Sequence, residues 1–345
     1  MKRIPLILAA RQGPAIWRGG RTKELELGFQ GVGIRGYVTV ELIHARTGLI
    51  KQKLEFPNLI TDAGLDALAG TTIQISTFLA SGYLAVGTGS TAPDEGDTGL
   101  ASETGVRSNS VGGGSNSVGF GSSNVYSYYR ITREFSESQS NGNLTEFGIF
   151  SASTAGTMLV RQLFRDSNGD PVTITKTSDD KLRIIYEFRI YPPSSDATGT
   201  ANVSGTDYGW TCRTMNMGVD TAWGFGGSST GLLNRLGASG AVGCTGGNHT
   251  TLGTTTSTTG PTGGSSTAAA SSTSRSTYTS GTFSRDFSAI AEAGNWNFTN
   301  GVRSFILQPW GTSAGNTHQI VLDAFIPKLN TQRLTMNFSV SIGRH

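Results

Sequence analysis

A repeat written in β-strand language constrains this chain more than any other feature. Arg133-Glu134-Phe135-Ser136 followed by Gly142-Asn143 returns as Arg285-Asp286-Phe287-Ser288 followed by Gly294-Asn295, a shift of 152 residues. Leu182, Ile184, Tyr186, Phe188 and Ile190 alternate with Arg183, Glu187 and Arg189. At the same shift Leu334, Met336, Phe338, Val340 and Ile342 alternate with polar residues from Arg333 to Ser341, and Lys176 and Lys328 keep step. Period two describes a strand with one buried face and one wet face. The repeat predicts an all-β fold of two related β-sandwich or jelly-roll-like modules, residues 37–192 and 208–345, joined by a connector over 193–207.

Composition supports that division. At 345 residues the chain exceeds the roughly 250 to 300 at which a single core stops growing. Glycine at 48 residues and charged residues at only 15 % suit turns and extended loops. Residues 1–36 read as a basic N-terminal arm, because Lys2, Arg3, Arg11, Arg18, Arg21 and Lys23 all precede the first acidic residue, Glu24. Met1-Lys2-Arg3 before Ile4 to Ala10 resembles a secretion signal, but Pro5 and Arg11 confine the apolar stretch, so an uncleaved arm is the reading. No run reaches the length of a membrane span. Cys212 and Cys244 make neither a disulfide framework nor a zinc pattern and fit folding in a reducing cytoplasm.

Within the first module the strands expected are Tyr37 to Ile43, Leu49 to Phe56, Tyr83 to Val86, Val125 to Phe135, Phe147 to Phe150, Met158 to Phe164 and Lys181 to Tyr191. Thr61 or Asp62 caps a short helix that Gly70 ends. A Gly/Ser/Thr-rich loop, residues 226–281, interrupts the second module; too polar to form a core, it is expected to be ordered by neighbouring subunits.

The candidate chemical motifs have plainer readings. Gly31-Val32-Gly33-Ile34-Arg35-Gly36 has dinucleotide-loop spacing but runs into a strand, not a helix. Asp166-Ser167-Asn168-Gly169-Asp170 reads as a hairpin turn, since Pro171 stands where a calcium loop needs glycine. Asp179-Asp180 reads as a turn before a strand. The histidines, His44, His249, His318 and His345, lie far apart in sequence and no nucleophile elbow or metalloprotease helix occurs. No catalytic residue, metal or cofactor is therefore expected. The arm residues Lys2, Arg3, Arg11, Arg18, Arg21 and Lys23 lack interleaved aromatics, which makes nucleic acid a weak reading and docking to an acidic protein neighbour equally consistent.

Several segments of the first module are familiar as a set. Asn58 to Leu68, Leu84-Ala85-Val86-Gly87-Thr88-Gly89-Ser90-Thr91-Ala92-Pro93, Asp97 to Glu103, Gly142-Asn143-Leu144-Thr145-Glu146-Phe147-Gly148-Ile149-Phe150, Gly156 to Val160 and Thr175 to Asp180 occur in this order. Residues 37–192 thereby resemble structural proteins of tailed-bacteriophage virions, of tail, tail-fibre or collar type. The resemblance implies a β-rich, non-enzymatic subunit that assembles with other virion proteins and with copies of itself in the bacterial cytoplasm. The basic arm and the interrupted second module depart from that pattern. The alternative is a receptor-binding module whose exposed tryptophans, among Trp210, Trp223, Trp296 and Trp310, stack on host surface glycan.

Overall fold

The computed structural model of the protein describes residues 22–28, 31–70, 75–111, 117–120, 126–217, 220–223, 243–308 and 316–345. Strand β1 (Thr22–Gly28) precedes the first module. That module comprises β2 (Val32–His44), β3 (Ile50–Ile60), helices α1 (Asp62–Gly70) and α2 (Ile75–Ser81), then β4 (Tyr83–Gly87), β5 (Glu103–Ser108), β6 (Ser117–Phe120), β7 (Ser127–Phe135), β8 (Gly142–Leu144), β9 (Glu146–Phe150), β10 (Met158–Leu163), β11 (Ile174–Lys176) and β12 (Asp180–Tyr191). Its main strands bond in the order β6-β7-β12-β2-β3-β10-β9-β4-β5, every pair antiparallel, while β8 and β11 form a separate two-stranded sheet. The sheet curls on itself into an all-β, sandwich-like fold. Val38, Val40, Leu42, Ile184, Tyr186 and Phe188 fill its interior at 5 % exposure or less, each stabilising the fold by roughly 1.5–3 kcal/mol. Thr61 Oγ1 accepts from Gly64 N and caps α1, as its sequence implies.

The second module comprises β13 (Ala197–Val203), β14 (Thr206–Thr214), α3 (Asp220–Trp223), β15 (Gly243–Gly247), β16 (Thr267–Ala269), β17 (Ser272–Arg275), β18 (Ser284–Ala291), β19 (Val302–Gln308), β20 (His318–Ile326) and β21 (Arg333–Arg344). Its strands bond as β13-β14-β20-β19-β15-β16 and as β17-β18-β21. The two modules are therefore related: β3-β10-β9-β4-β5 corresponds to β14-β20-β19-β15-β16, and β6-β7-β12 to β17-β18-β21. They differ at the join. Strand β2 bonds both β12 and β3, whereas β13 bonds β14 alone among the described residues. The free side of β21 is taken by β1, in parallel, from Thr22 opposite Arg333 to Gly28 opposite Ser339.

The repeat has two registers. Lys176 Nζ donates to Glu137 O and Asn141 Oδ1, and Lys328 Nζ to Glu292 O, Asn295 O and Asn297 Oδ1, so these lysines are equivalent at the shift seen in sequence. The preceding turns align instead at a shift of 156, because Ser140 (φ 51) matches Trp296 (φ 54). Arg133 and Arg285 are thus four residues out of structural step: Arg133 sits opposite Ile184, Arg285 opposite Val340. An even slip leaves the inward and outward faces unchanged, so alternation could not reveal it. Both arginines nonetheless serve helix ends. Arg133 donates to Leu79, Ala80 and Gly82 carbonyls at the end of α2, and Arg285 to Ala69 and Gly70 carbonyls at the end of α1.

Three boundaries differ from those read in sequence. Pairing begins at Thr22, inside the 1–36 arm, because Leu25 and Leu27 alternate with Glu24 and Glu26 and are buried against the second module. The 193–207 connector is largely the β13-β14 hairpin, turned at Ser204 (φ 54) and Gly205 (φ 86). In the 226–281 tract, residues 226–242 lie outside the described residues, but 243–281 contribute β15, β16 and β17 to sheets of this same chain. Their order comes from backbone ladders and close packing, which composition does not register. The Trp296 ring lies where a Cβ on Gly246 would come within 2.5 Å, and its Nε1 donates to Ala268 O.

Candidate assembly surface

The outward positions of β2, β12 and β7 form a tyrosine and arginine face. Register places Tyr37, Glu187 and Arg130 in one cross-strand row and Arg35, Arg189 and Tyr128 in the next. The Arg189 guanidinium lies 4.5 Å from the ring centroids of both Tyr37 and Tyr126, and Arg130 lies 4.8 Å from Tyr128. Glu187, buried between them, accepts from Arg189 Nε at 2.7 Å and from Arg130 Nε at 3.0 Å. Tyr191 stacks on His345 at 3.9 Å, and burial, then Arg35, lowers the pKa of that histidine. Burial raises the Tyr126 phenol, with Arg189 opposing. Arg35 stands directly opposite Arg189, a like-charge pair that costs stability. Three guanidinium groups against one carboxylate leave these two rows positive, while further along the same strands Arg183 is held between Glu41 and Glu134.

Elsewhere the ionisable groups hold the fold together. Glu146, fully buried, accepts from the backbone of Gly89, Ala101 and Ser102 and from Arg161 Nε, while Arg161 donates to Asp97 and to Thr91 O. This clamp fastens the loop from Thr88 to Ser102 over β4, β9 and β10. The glycines of this loop therefore have a structural reason: a Cβ on Gly89 would meet Glu146 Oε1 at 2.4 Å, and one on Gly87 would meet Ser102 O at the same distance. In the second module Gln319 bonds Gly253 and Thr254 and holds the corresponding loop over β15, β19 and β20. Asp180 accepts from Lys51 and Thr177; it is buried at a strand start, not a free turn acid. Asp166 Oδ1 accepts from Asn168 and Asp170 N, closing the hairpin turn on itself.

The candidate residues from sequence are dispersed. Lys23 Nζ donates to Pro327 O within this chain, and burial lowers its pKa. Lys2, Arg3, Arg11, Arg18 and Arg21 lie outside the described residues, as does Trp310. Trp210, Trp223 and Trp296 are 7 %, 0 % and 1 % exposed and belong to the core, so they form no exposed sugar-stacking row. His318 is buried against Trp223, and burial lowers its pKa to about 4. Cys212 and Cys244 are free thiols whose pKa values burial pushes up. Among the described residues no group of three metal-ligating side chains occurs, and no helix is long and apolar enough to cross a membrane.

Outside the tyrosine and arginine face, the second module carries a cleft of about 630 Å³ on the outer side of β13, β14, β20 and β19. Gly209 makes its floor: a Cβ there would come 2.8 Å from Asp323 Oδ2. Sequence reasoning missed both surfaces, although outward residues of the predicted strands, including Arg189, were legible. Comparison with protein-family models, with curated proteins and with solved structures found no match to this chain.

Proposed function

We propose that this chain is a structural, non-catalytic subunit of a bacteriophage virion, a tail, fibre-anchor or collar component that acts by assembly with neighbouring subunits. The observation that carries this reading is the face of Tyr37, Tyr126, Tyr128, Arg130 and Arg189, since tyrosine and arginine are the side chains that concentrate binding energy at protein interfaces. The resemblance of residues 37–192 to virion proteins supports it. The partner is a subunit that brings carboxylates to a positive face. Asp94, exposed on the clamped loop of the same chain, offers that chemistry for a head-to-tail contact between copies; its neighbour Glu95 already pairs with Arg344.

The test is incorporation. Arg130→Gln with Arg189→Gln, which remove the positive charge and keep hydrogen-bond donors beside the buried Glu187, should leave a folded monomer that fails to enter particles or to self-associate at low salt. A doubly substituted chain that folds and incorporates like the natural one removes this reading.

A further inference from the structure

We propose that the cleft on the second module is a saccharide-binding site that takes two or three units of a neutral oligosaccharide. Its volume, about 630 Å³, falls within the range of small-molecule sites, roughly 300–1,000 Å³. The chemistry of its walls is mixed in the way that a hydroxyl-rich ligand requires. Asp323 is exposed there, and among the described residues its carboxylate has no hydrogen bond or ion pair, so it is available to accept from two adjacent hydroxyls. Arg303 is fixed from Nε by Leu322 O and lies 5.2 Å over the Phe325 ring, with no carboxylate partner among the described residues. Its terminal nitrogens are therefore presented from a rigid base.

Thr211, Thr250 and Thr251 add hydroxyls, and Val321 with Leu252 adds an apolar strip for the C–H face of a sugar ring. The second arginine of the wall, Arg213, is neutralised by Asp196 at 2.7 Å and tied to Gly253 O, so the site does not select an anion. Asp323 is the sole carboxylate among the lining residues, and glycoside hydrolysis needs two, so the site binds and does not cleave. One glycine creates the space: Gly209 admits the Asp323 carboxylate, which a Cβ there would approach to 2.8 Å.

The experiment is titration of the full chain with maltotriose, cellotriose and triacetylchitotriose, followed by calorimetry and by tryptophan fluorescence, with a glycan array to widen the panel. At least one neutral saccharide should bind with a dissociation constant on the order of 0.1–5 mM. Asp323→Ala and Arg303→Ala should each weaken it about tenfold or more, in line with loss of a hydrogen bond to a charged group. Thr211→Trp, which fills the cleft from a half-exposed position, should abolish it. Lys53→Ala, at an exposed position of the other module, should leave it unchanged. Absence of binding across the array, or binding indifferent to both Asp323→Ala and Thr211→Trp, overturns the site. Incorporation into particles is read separately, so failure here leaves the assembly reading standing.

Discussion

The two modules solve the same closure problem with different strands. In the first, β2 bonds β12 on one side and β3 on the other, so a single hairpin joins both halves of the sandwich. In the second, the corresponding hairpin partner β13 stops short of β21, and β1 from the start of the chain fills the place in parallel. Duplicated sheets thus need not be independent folding units. The second module depends on residues that precede the first, and β21 continues onto β2 through Ile342 to Arg344.

Removing β1 should produce the largest effect and break the comparison outright. Leu25→Asp with Leu27→Asp should cost at least about 4 kcal/mol, because two buried side chains become unpaired charges. Hydrogen exchange should accelerate in β18 and β21 and stay slow in β7 and β12. Uniform loss of protection across both modules would mean that they unfold as one unit.

A smaller effect separates the loop clamps. Glu146→Ala leaves Arg161 with Asp97 alone and strips the Gly89, Ala101 and Ser102 amides of their acceptor, and should cost about 3–5 kcal/mol, freeing the loop from Thr88 to Ser102 to protease. Gln319→Ala removes neutral hydrogen bonds only and should cost about 1–3 kcal/mol, with cleavage confined to the loop around Gly253. Equal losses would show that charge plays no special part in the first clamp.

Acid should distinguish the modules more gently. His318 has a folded pKa of about 4 against its ordinary 6.5, so the unfolded chain takes up a proton that the folded one refuses. Its contribution is full above pH 6.5, declines as pH falls towards 4 and is constant below that, on the order of 3 kcal/mol in all. Urea unfolding at pH 7 and 4.5 should show this loss in the second module, and His318→Gln should lack that slope.

Much of this architecture was legible in sequence because burial writes itself as alternation: Leu182 to Ile190 and Leu334 to Ile342 are strands with the faces expected. What alternation cannot carry is partnership. Leu25 and Leu27 make too short a pattern to announce that they complete a sheet that ends at the other terminus. The glycine tract looked structureless because its order rests on Trp296 lying over Gly246 and on backbone ladders. The tyrosine and arginine face needed the registers of β2, β12 and β7 before its members could be seen as neighbours.

The mildest expected effect lies where the modules touch away from β1. Asp66 on α1 accepts from Tyr278 Oη, Ser280 Oγ and Gly281 N, all in the segment entering β18, so the glycine and serine tract is fastened to a helix of the other module. Burial raises the Asp66 pKa, but these three donors lower it further than burial raises it, and the carboxylate ionises below its ordinary range. A depressed carboxylate stabilises the fold above its unfolded pKa and loses that contribution as pH falls through the folded value. The group is half-buried at the surface, where solvent still screens the interaction and keeps the effect small. Asp66→Asn should therefore leave both modules folded at pH 7, reduce the acid sensitivity of the joint, and speed amide exchange from Tyr278 to Gly281. Unchanged exchange there would place the hold on this segment in Arg285, which caps the same helix from the adjoining strand.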